Sequence, residues 1–252
     1  MTSFEPRIVA IVPAGGVGAR AGNTFPKQYR PLLGEPMLRW AVRALLADGR
    51  IEQVRVAVAL DDLRAADSLR GLPRVVCRPC GGPTRAATVL GALRDAALQP
   101  HDWALVHDAA RPGLPAEALA RLIDACLSHG EGGLLAEPVA DTVKRAVAAA
   151  SGPMDATAAH AGKGMESPRV QVSVSRDALW LAQTPQMFPA GALLAALEAS
   201  AAAEGVTDEA SAMELAGHHP LLVPGSVRNF KVTWPEHFDL IEQLLIPRIK
   251  QP

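Results

Sequence analysis

The feature that most constrains this chain is its first glycine-rich turn. An apolar run, Ile8 to Val12, leads into Pro13-Ala14-Gly15-Gly16-Val17-Gly18-Ala19-Arg20, and Pro26-Lys27-Gln28-Tyr29 follows. Glycines let backbone N–H groups approach phosphate oxygens, because no Cβ stands between them. Arg20 and Lys27, fixed beside such a turn, can balance a polyphosphate. The pattern predicts a strand, a phosphate-cradling loop and a nucleoside triphosphate site close to the N-terminus. Two other glycine loops fit less well. A Walker A loop needs Lys-Ser/Thr after its last glycine, and here Lys27 is followed by Gln28. Gly16 to Ala21 matches the Gly-x-Gly-x-x-Ala dinucleotide fingerprint, which requires an acid about 20 residues further on. The next apolar strand, Val54 to Leu60, reaches Asp61 far too late. A plain tight turn would explain the glycines but not the flanking cations.

The rest of the chain supports an α/β fold. Strand and helix patterns alternate, which predicts a mostly parallel sheet with helices on both faces. Val54 to Leu60 and Trp103 to Val106 read as buried strands. Pro36 to Ala47, Thr84 to Ala97 and Pro115 to Ser128 read as helices, with Thr84 a candidate N-cap. The loops at 13–27, 78–88 and 107–112 all follow strands, where ligands gather in such sheets. The 252 residues and 49% apolar content suit one domain, 1–252. Around Ala146 to Met165 the chain is rich in Ala, Gly, Ser and Pro and loses its periodicity. Thr142 to Val147 and Arg169 to Val174 flank it as strand-like segments. Together they predict either an inserted arm, about 139–176, that packs on a second copy of the chain, or a disordered surface loop; composition alone does not choose between the two.

Composition excludes several classes. A net charge of −1 argues against a nucleic-acid footprint, and no window is apolar enough to span a membrane. Residues Met1 to Arg7 carry no signal-peptide apolar region, and three cysteines make no disulfide framework. A cytoplasmic protein is expected. Cys77 and Cys80 have C-x-x-C spacing without a second pair, so two reduced thiols at a strand end are expected rather than zinc.

Further motifs carry charge. His107-Asp108-Ala109-Ala110-Arg111-Pro112 ends a strand, where Asp108 is well placed to bind Mg²⁺ directly or through water. The bland alternative is a surface Asp–Arg pair. Gly81-Gly82-Pro83-Thr84-Arg85 opens a helix. Asp141-Thr142-Val143-Lys144, Arg176, Gln183-Thr184-Pro185-Gln186, Thr207-Asp208-Glu209-Ala210-Ser211 and Asn229-Phe230-Lys231 complete the set. Thr207-Asp208-Glu209 reads as a helix start with acids in its first turn, a role sufficient for Glu209.

In this order, from about Ile8 to Phe238, these segments resemble the 2-C-methyl-D-erythritol 4-phosphate cytidylyltransferase family. The resemblance implies a Rossmann-like nucleotidyltransferase fold, CTP and methylerythritol phosphate as substrates, Mg²⁺, and a homodimer with exchanged arms. It implies that Arg20, Lys27 and Lys231 are catalytic, and that Ala14, Gly15, Gly16, Gly18, Gly82 and Thr88 surround the nucleotide. It places Arg111 and Thr184 at the acceptor, and Thr142 and Arg176 at its phosphate from the partner's arm. Asp108 and Asp208 would organise the metal, its waters or the substrate hydroxyls. A ribitol-5-phosphate cytidylyltransferase would share fold, CTP and mechanism and differ in the acceptor alcohol. A catalytically silent nucleotide-binding module would bind CTP without releasing pyrophosphate. Four departures stand out: Pro83 where the family often has an acid, Thr88 where Ser is common, Gly15 where Ala is frequent, and the long excursion at 146–164. The Gly15 change is expected to be harmless.

Overall fold

The computed structural model describes residues 6–16, 25–147, 168–201, 203 and 205–249. Gly18, Arg20 and nearly all of the excursion lie outside them. The strands of the main sheet are β1 (Ile8–Pro13), β4 (Ile51–Ala57), β5 (Val75–Arg78), β6 (Trp103–Val106), β7 (Gly133–Pro138), β10 (Trp180–Pro189) and β11 (Leu221–Pro224). Two short strands, β2 (Pro31–Leu32) and β3 (Glu35–Pro36), pair with each other. The main sheet runs β11-β7-β10-β6-β1-β4-β5. Its pairs are parallel except the two made by β10, which is antiparallel to both β6 and β7.

The side-chain period of two sends alternate residues to opposite faces. Ile8, Ala10 and Val12 of β1, with Trp103 and Leu105 of β6, enter one core. Ile11, Ala104 and Val106 enter the other. Helices α1 (Met37–Leu46) and α4 (Ala116–His129) cover the first face. Helix α3 (Arg85–Ala96), a helix not read from the sequence, α5 (Ala190–Ala199), and α6 (Glu209–Leu215), whose start was read at Thr207-Asp208-Glu209, cover the second. Helix α2 (Ala65–Ser68) is a single turn. Thr84 caps α3 as expected, its side chain accepting from the Ala87 N–H at 3.0 Å. Asp208 caps α6 in a reciprocal box with Ser211. The C-terminal helix α7 (Glu236–Ile249) has a small core of its own, in which Phe238, Ile241 and Leu245 pack against Leu32, Met37, Trp40 and Val232. That core anchors the segment carrying Lys231.

The strand expected at 54–60 is displaced. It begins at Ile51 and ends at Ala57; Val58 still donates its N–H to the Arg78 carbonyl at 3.0 Å, but its carbonyl accepts the Gly81 N–H of the following loop at 2.8 Å. The arm segments form a separate antiparallel ribbon of β8 (Val143–Ala146) and β9 (Val170–Val174). Among the described residues no helix is long and apolar enough to cross a membrane. Cys77, Cys80 and Cys126 are free, so the thiols at the end of β5 are unpaired as expected.

Candidate active site

The site forms where β1, β4, β5 and β6 end. Beyond β1 the Ala14 N–H donates to Ala57 at 2.7 Å, which keeps the glycine loop aligned with the sheet. Gln28 holds that loop from the other side, donating from Nε2 to the Ala14 carbonyl at 3.0 Å and the Gly16 carbonyl at 3.2 Å. Its motif neighbour Lys27 is therefore carried on a rigid 3₁₀ turn, Lys27–Tyr29. Tyr29 anchors the same turn through its hydroxyl, which donates to Asp62 at 2.6 Å.

The second glycine loop meets the first. A Cβ on Gly15 would stand 3.2 Å from the Gly81 Cα and 3.3 Å from the Thr88 Oγ1. A substitution to alanine would be tight here: the neighbours must yield by a few tenths of an ångström. Gly82 is stricter, since its Cβ would sit 2.7 Å from the Ala87 Cβ. The buried Thr88 hydroxyl donates to the Thr84 carbonyl at 2.9 Å and accepts the Gly82 N–H at 3.1 Å. These contacts bring Ala14, Gly15, Gly82 and Thr88 to one place, with the backbone as its wall.

Asp108 stands at the end of β6 and is no surface residue. Its Oδ1 accepts from Arg85 Nε at 2.8 Å and its Oδ2 from Lys231 Nζ at 2.8 Å, with Arg111 Nε 4.0 Å from Oδ2. The Asp–Arg surface pair considered from sequence is thus replaced by a buried carboxylate among three cations. Burial works against the Asp108 charge, but Arg85 and Lys231 outweigh it and hold its pKa well below the usual carboxylate range. Val232, next to Lys231, is fully buried and donates its N–H to the Ala110 carbonyl at 2.8 Å, which fixes Lys231 beside this loop.

The Asp108 backbone is held as well. Its N–H donates to Thr184 Oγ1 at 2.9 Å, and the Thr184 hydroxyl donates to His107 Nδ1 at 3.1 Å. His107 Nε2 then donates to the Arg111 carbonyl at 3.0 Å, a tautomer set by these partners. Burial pushes the His107 pKa down to about 4, so the ring is a neutral strut and no proton carrier near neutrality. Thr184 is brought here by an irregularity in β10. Four residue steps, Ala182 to Gln186, face two, Ala136 to Leu134, around the cis Thr184-Pro185 bond. Asn229, fully buried, donates to the Thr184 carbonyl at 2.7 Å and to Gln183 at 2.9 Å.

Lys27 and Lys231 repel each other across the opening. Burial, and then Lys231, lower the Lys27 pKa to about 8. Arg111 donates from Nη1 to the Asn229 carbonyl at 2.7 Å, while its buried Nε, 4.0 Å from Asp108 Oδ2, makes no hydrogen bond among the described residues. Asp208 lies on the far side. Its Oδ1 accepts the Ser211 N–H at 3.0 Å and its Oδ2 the Gln186 amide at 2.7 Å. Thr142 and Arg176 are exposed at the base of the arm, where Arg176 donates to the Ala140 carbonyl.

Glu209 is a correction. The helix-start role assigned from sequence understates it, because the side chain is wholly buried and both its oxygens accept from Arg85, at 2.7 and 2.9 Å. Burial raises its pKa against the pull of Arg85. With guanidinium N–H groups facing both oxygens, the carboxylate is the form the geometry accommodates. Gln28, Arg85, Glu209 and Asn229 were all given no site role from sequence, although Gln28 and Arg85 sit inside motifs that were read.

Comparisons with known proteins identify the family. The family model for 2-C-methyl-D-erythritol 4-phosphate cytidylyltransferase matches residues 8–246. The chain belongs to that family. It is accordingly an enzyme of the nucleotidyltransferase type. The Bordetella petrii enzyme of that name is 64% identical over 240 residues, covering 94% of this chain and 98% of its own. A crystal structure of a 4-diphosphocytidyl-2C-methyl-D-erythritol synthase superimposes with a TM-score of 0.77 at 36% identity, covering 96% of this chain and all of the other. The Francisella tularensis 2-C-methyl-D-erythritol 4-phosphate cytidylyltransferase gives 0.74 at 29% identity, covering 95% of this chain and all of its own.

Proposed function

We propose that this chain transfers CMP from CTP to 2-C-methyl-D-erythritol 4-phosphate, giving 4-diphosphocytidyl-2-C-methyl-D-erythritol and pyrophosphate. The observation that carries the reading is the buried Asp108 with Lys231 and Arg85, facing Lys27 where two glycine loops meet, in a chain of this family. An oxygen of the acceptor's phosphate attacks the α-phosphorus in line. The new P–O bond forms as the bond to the β-phosphate bridge breaks, and pyrophosphate leaves with the electron pair. The attacking oxygen is already ionised, so no strong base is needed and positioning with charge stabilisation suffices. Lys27 and Arg20 meet the charge on the pentacoordinate phosphorus and the leaving group, and Lys231 holds phosphate from the opposite side. Ala14, Gly15, Gly16, Gly18, Gly82 and Thr88 enclose the nucleoside, and a wall of backbone favours the small pyrimidine.

Mg²⁺ fits as an ion that the nucleotide brings. Among the described residues no three His, Cys, Asp or Glu side chains cluster to cage a metal, so Asp108 would hold such an ion together with oxygens of the triphosphate and water. The cation neutralises phosphate charge when bound. Asp208, with both oxygens engaged, reaches it only through water. Arg111 and Thr184 bound the acceptor pocket. Thr142 and Arg176 serve the acceptor phosphate of the partner subunit, in a cytoplasmic homodimer joined by the ribbon of 139–176. That ribbon exposes Val170 and Val172, and Trp180 and Leu181 are exposed nearby in sequence, apolar surface that a second copy would cover.

Pyrophosphate release with CTP and Mg²⁺, run in parallel with methylerythritol 4-phosphate and ribitol 5-phosphate, tests the reading. Release with the first acceptor alone is expected. Release with ribitol 5-phosphate alone would refute the acceptor assignment, and silence with both would refute the activity.

A further inference from the structure

Asp108 has two oxygens and two close cations, and the cations are held very differently. Arg85 makes three charge-assisted bonds, one to Asp108 Oδ1 and two to the Glu209 oxygens. Its side chain is 25% exposed and that of Glu209 1%. Moving Arg85 away would strand Glu209 as a buried, uncompensated charge, which is among the costliest changes a core can suffer. Lys231 is 49% exposed, meets Asp108 with one point contact and rides on a flexible stem. A competing cation at Asp108 therefore displaces Lys231 and leaves Arg85 in place. The displaced ammonium then lies in the opening that it shares with Lys27, where the triphosphate sits in the function proposed above.

We propose that Glu209 and Arg85 are positioning residues for nucleotidyl transfer. Glu209 locks the Arg85 guanidinium, Arg85 pins Asp108 through Oδ1, and Asp108 keeps Oδ2 as its single exchangeable oxygen. Lys231 fills Oδ2 until Mg²⁺·CTP arrives and draws the ammonium onto the phosphates. Neither residue touches substrate; both act through Asp108. This rests on the cytidylyltransferase reading for its substrates but not for its geometry.

The test is calorimetric titration of the full-length protein with CTP, once with Mg²⁺ and once with a chelator, for wild type, Glu209→Gln, Asp108→Asn and the double variant. Glu209→Gln is expected to weaken Mg²⁺·CTP binding by about tenfold, the scale of one charge-assisted hydrogen bond, and metal-free CTP binding by less than about twofold. In the Asp108→Asn background the same substitution should cost little further, because the route through Asp108 is already cut. Arg85→Lys keeps a cation but cannot span two carboxylates, so it should reproduce the Glu209→Gln pattern and serves if Glu209→Gln does not fold. Equal weakening with and without metal, or an undiminished cost in the Asp108→Asn background, would reduce the pair to a structural brace and overturn the proposal. So would wild-type affinity in both variants. Wild-type turnover with methylerythritol phosphate is the separate control: its failure would refute the function, while the binding comparison would still decide this proposal.

Discussion

The lowered Lys27 pKa leads to a specific pH profile. Burial and the neighbouring Lys231 bring this amine from 10.5 to about 8. The cation is the active form, so activity is lost as pH rises through that value. At pH 7 roughly nine in ten free molecules carry the charge, and at pH 9 roughly one in ten. The kcat/KM for CTP, which reports the free enzyme, should therefore bend near pH 8 and fall about tenfold per unit beyond it. Bound triphosphate surrounds Lys27 with negative charge and raises its pKa again, so kcat should stay flat to higher pH. CTP binding at pH 8 should then take up about half a proton, measurable by calorimetry in buffers of different ionisation enthalpy. Lys27→Arg supplies a guanidinium that stays protonated throughout. Its absolute activity should fall, but its alkaline limb and its proton uptake should vanish. The same limb near pH 8 in the arginine variant would place the titration on a group other than Lys27.

Other consequences are simpler to measure. Lys27→Ala should lower kcat by on the order of a hundredfold or more while CTP affinity changes less, and equal losses in steady-state kinetics would mean a ground-state contact only. Gly82→Ala drives its new methyl to 2.7 Å from the Ala87 Cβ. It should weaken CTP binding by about tenfold or more in a titration, whereas Gly15→Ala, with gaps of 3.2 Å and above, should cost less. Arg176→Ala should raise the KM for methylerythritol phosphate and leave CTP binding unchanged; collapse of CTP binding would place the arm wrongly. Val172→Asp, on the exposed ribbon, should shift the protein toward monomer in light scattering and lower activity with it.

The fold was legible where local chemistry decides it. The run from Ile8 to Val12, the cap at Thr84 and the strand end before Asp108 each carry their own signal within a few residues. The strand at Ile51–Ala57 was misplaced because the apolar run 54–60 continues past the point where Val58 turns out to receive Gly81, a contact set by another loop. The cationic site was legible in part through motifs: the strand-end loops predicted that Lys27 and Asp108 converge, whereas Lys231 was placed there only by the family resemblance. What escaped was long-range pairing of charge. Glu209 looks like any acid in a helix's first turn, and only Arg85, 124 residues away, shows that it is part of the site. Asn229 and Gln28 escaped for a related reason. Gln28 bonds backbone carbonyls, and Asn229 bonds one carbonyl and the distant Gln183 side chain, contacts that leave no trace in the local pattern of side chains.

In the function proposed above, transfer is direct, by positioned charge, without a covalent enzyme intermediate. The most direct measurement is the stereochemical course at the α-phosphorus, using a single diastereomer of CTP carrying sulfur on that phosphorus and methylerythritol 4-phosphate as acceptor. One in-line displacement predicts inversion of configuration. Retention would mean two displacements through a nucleotidylated side chain, and would contradict the account.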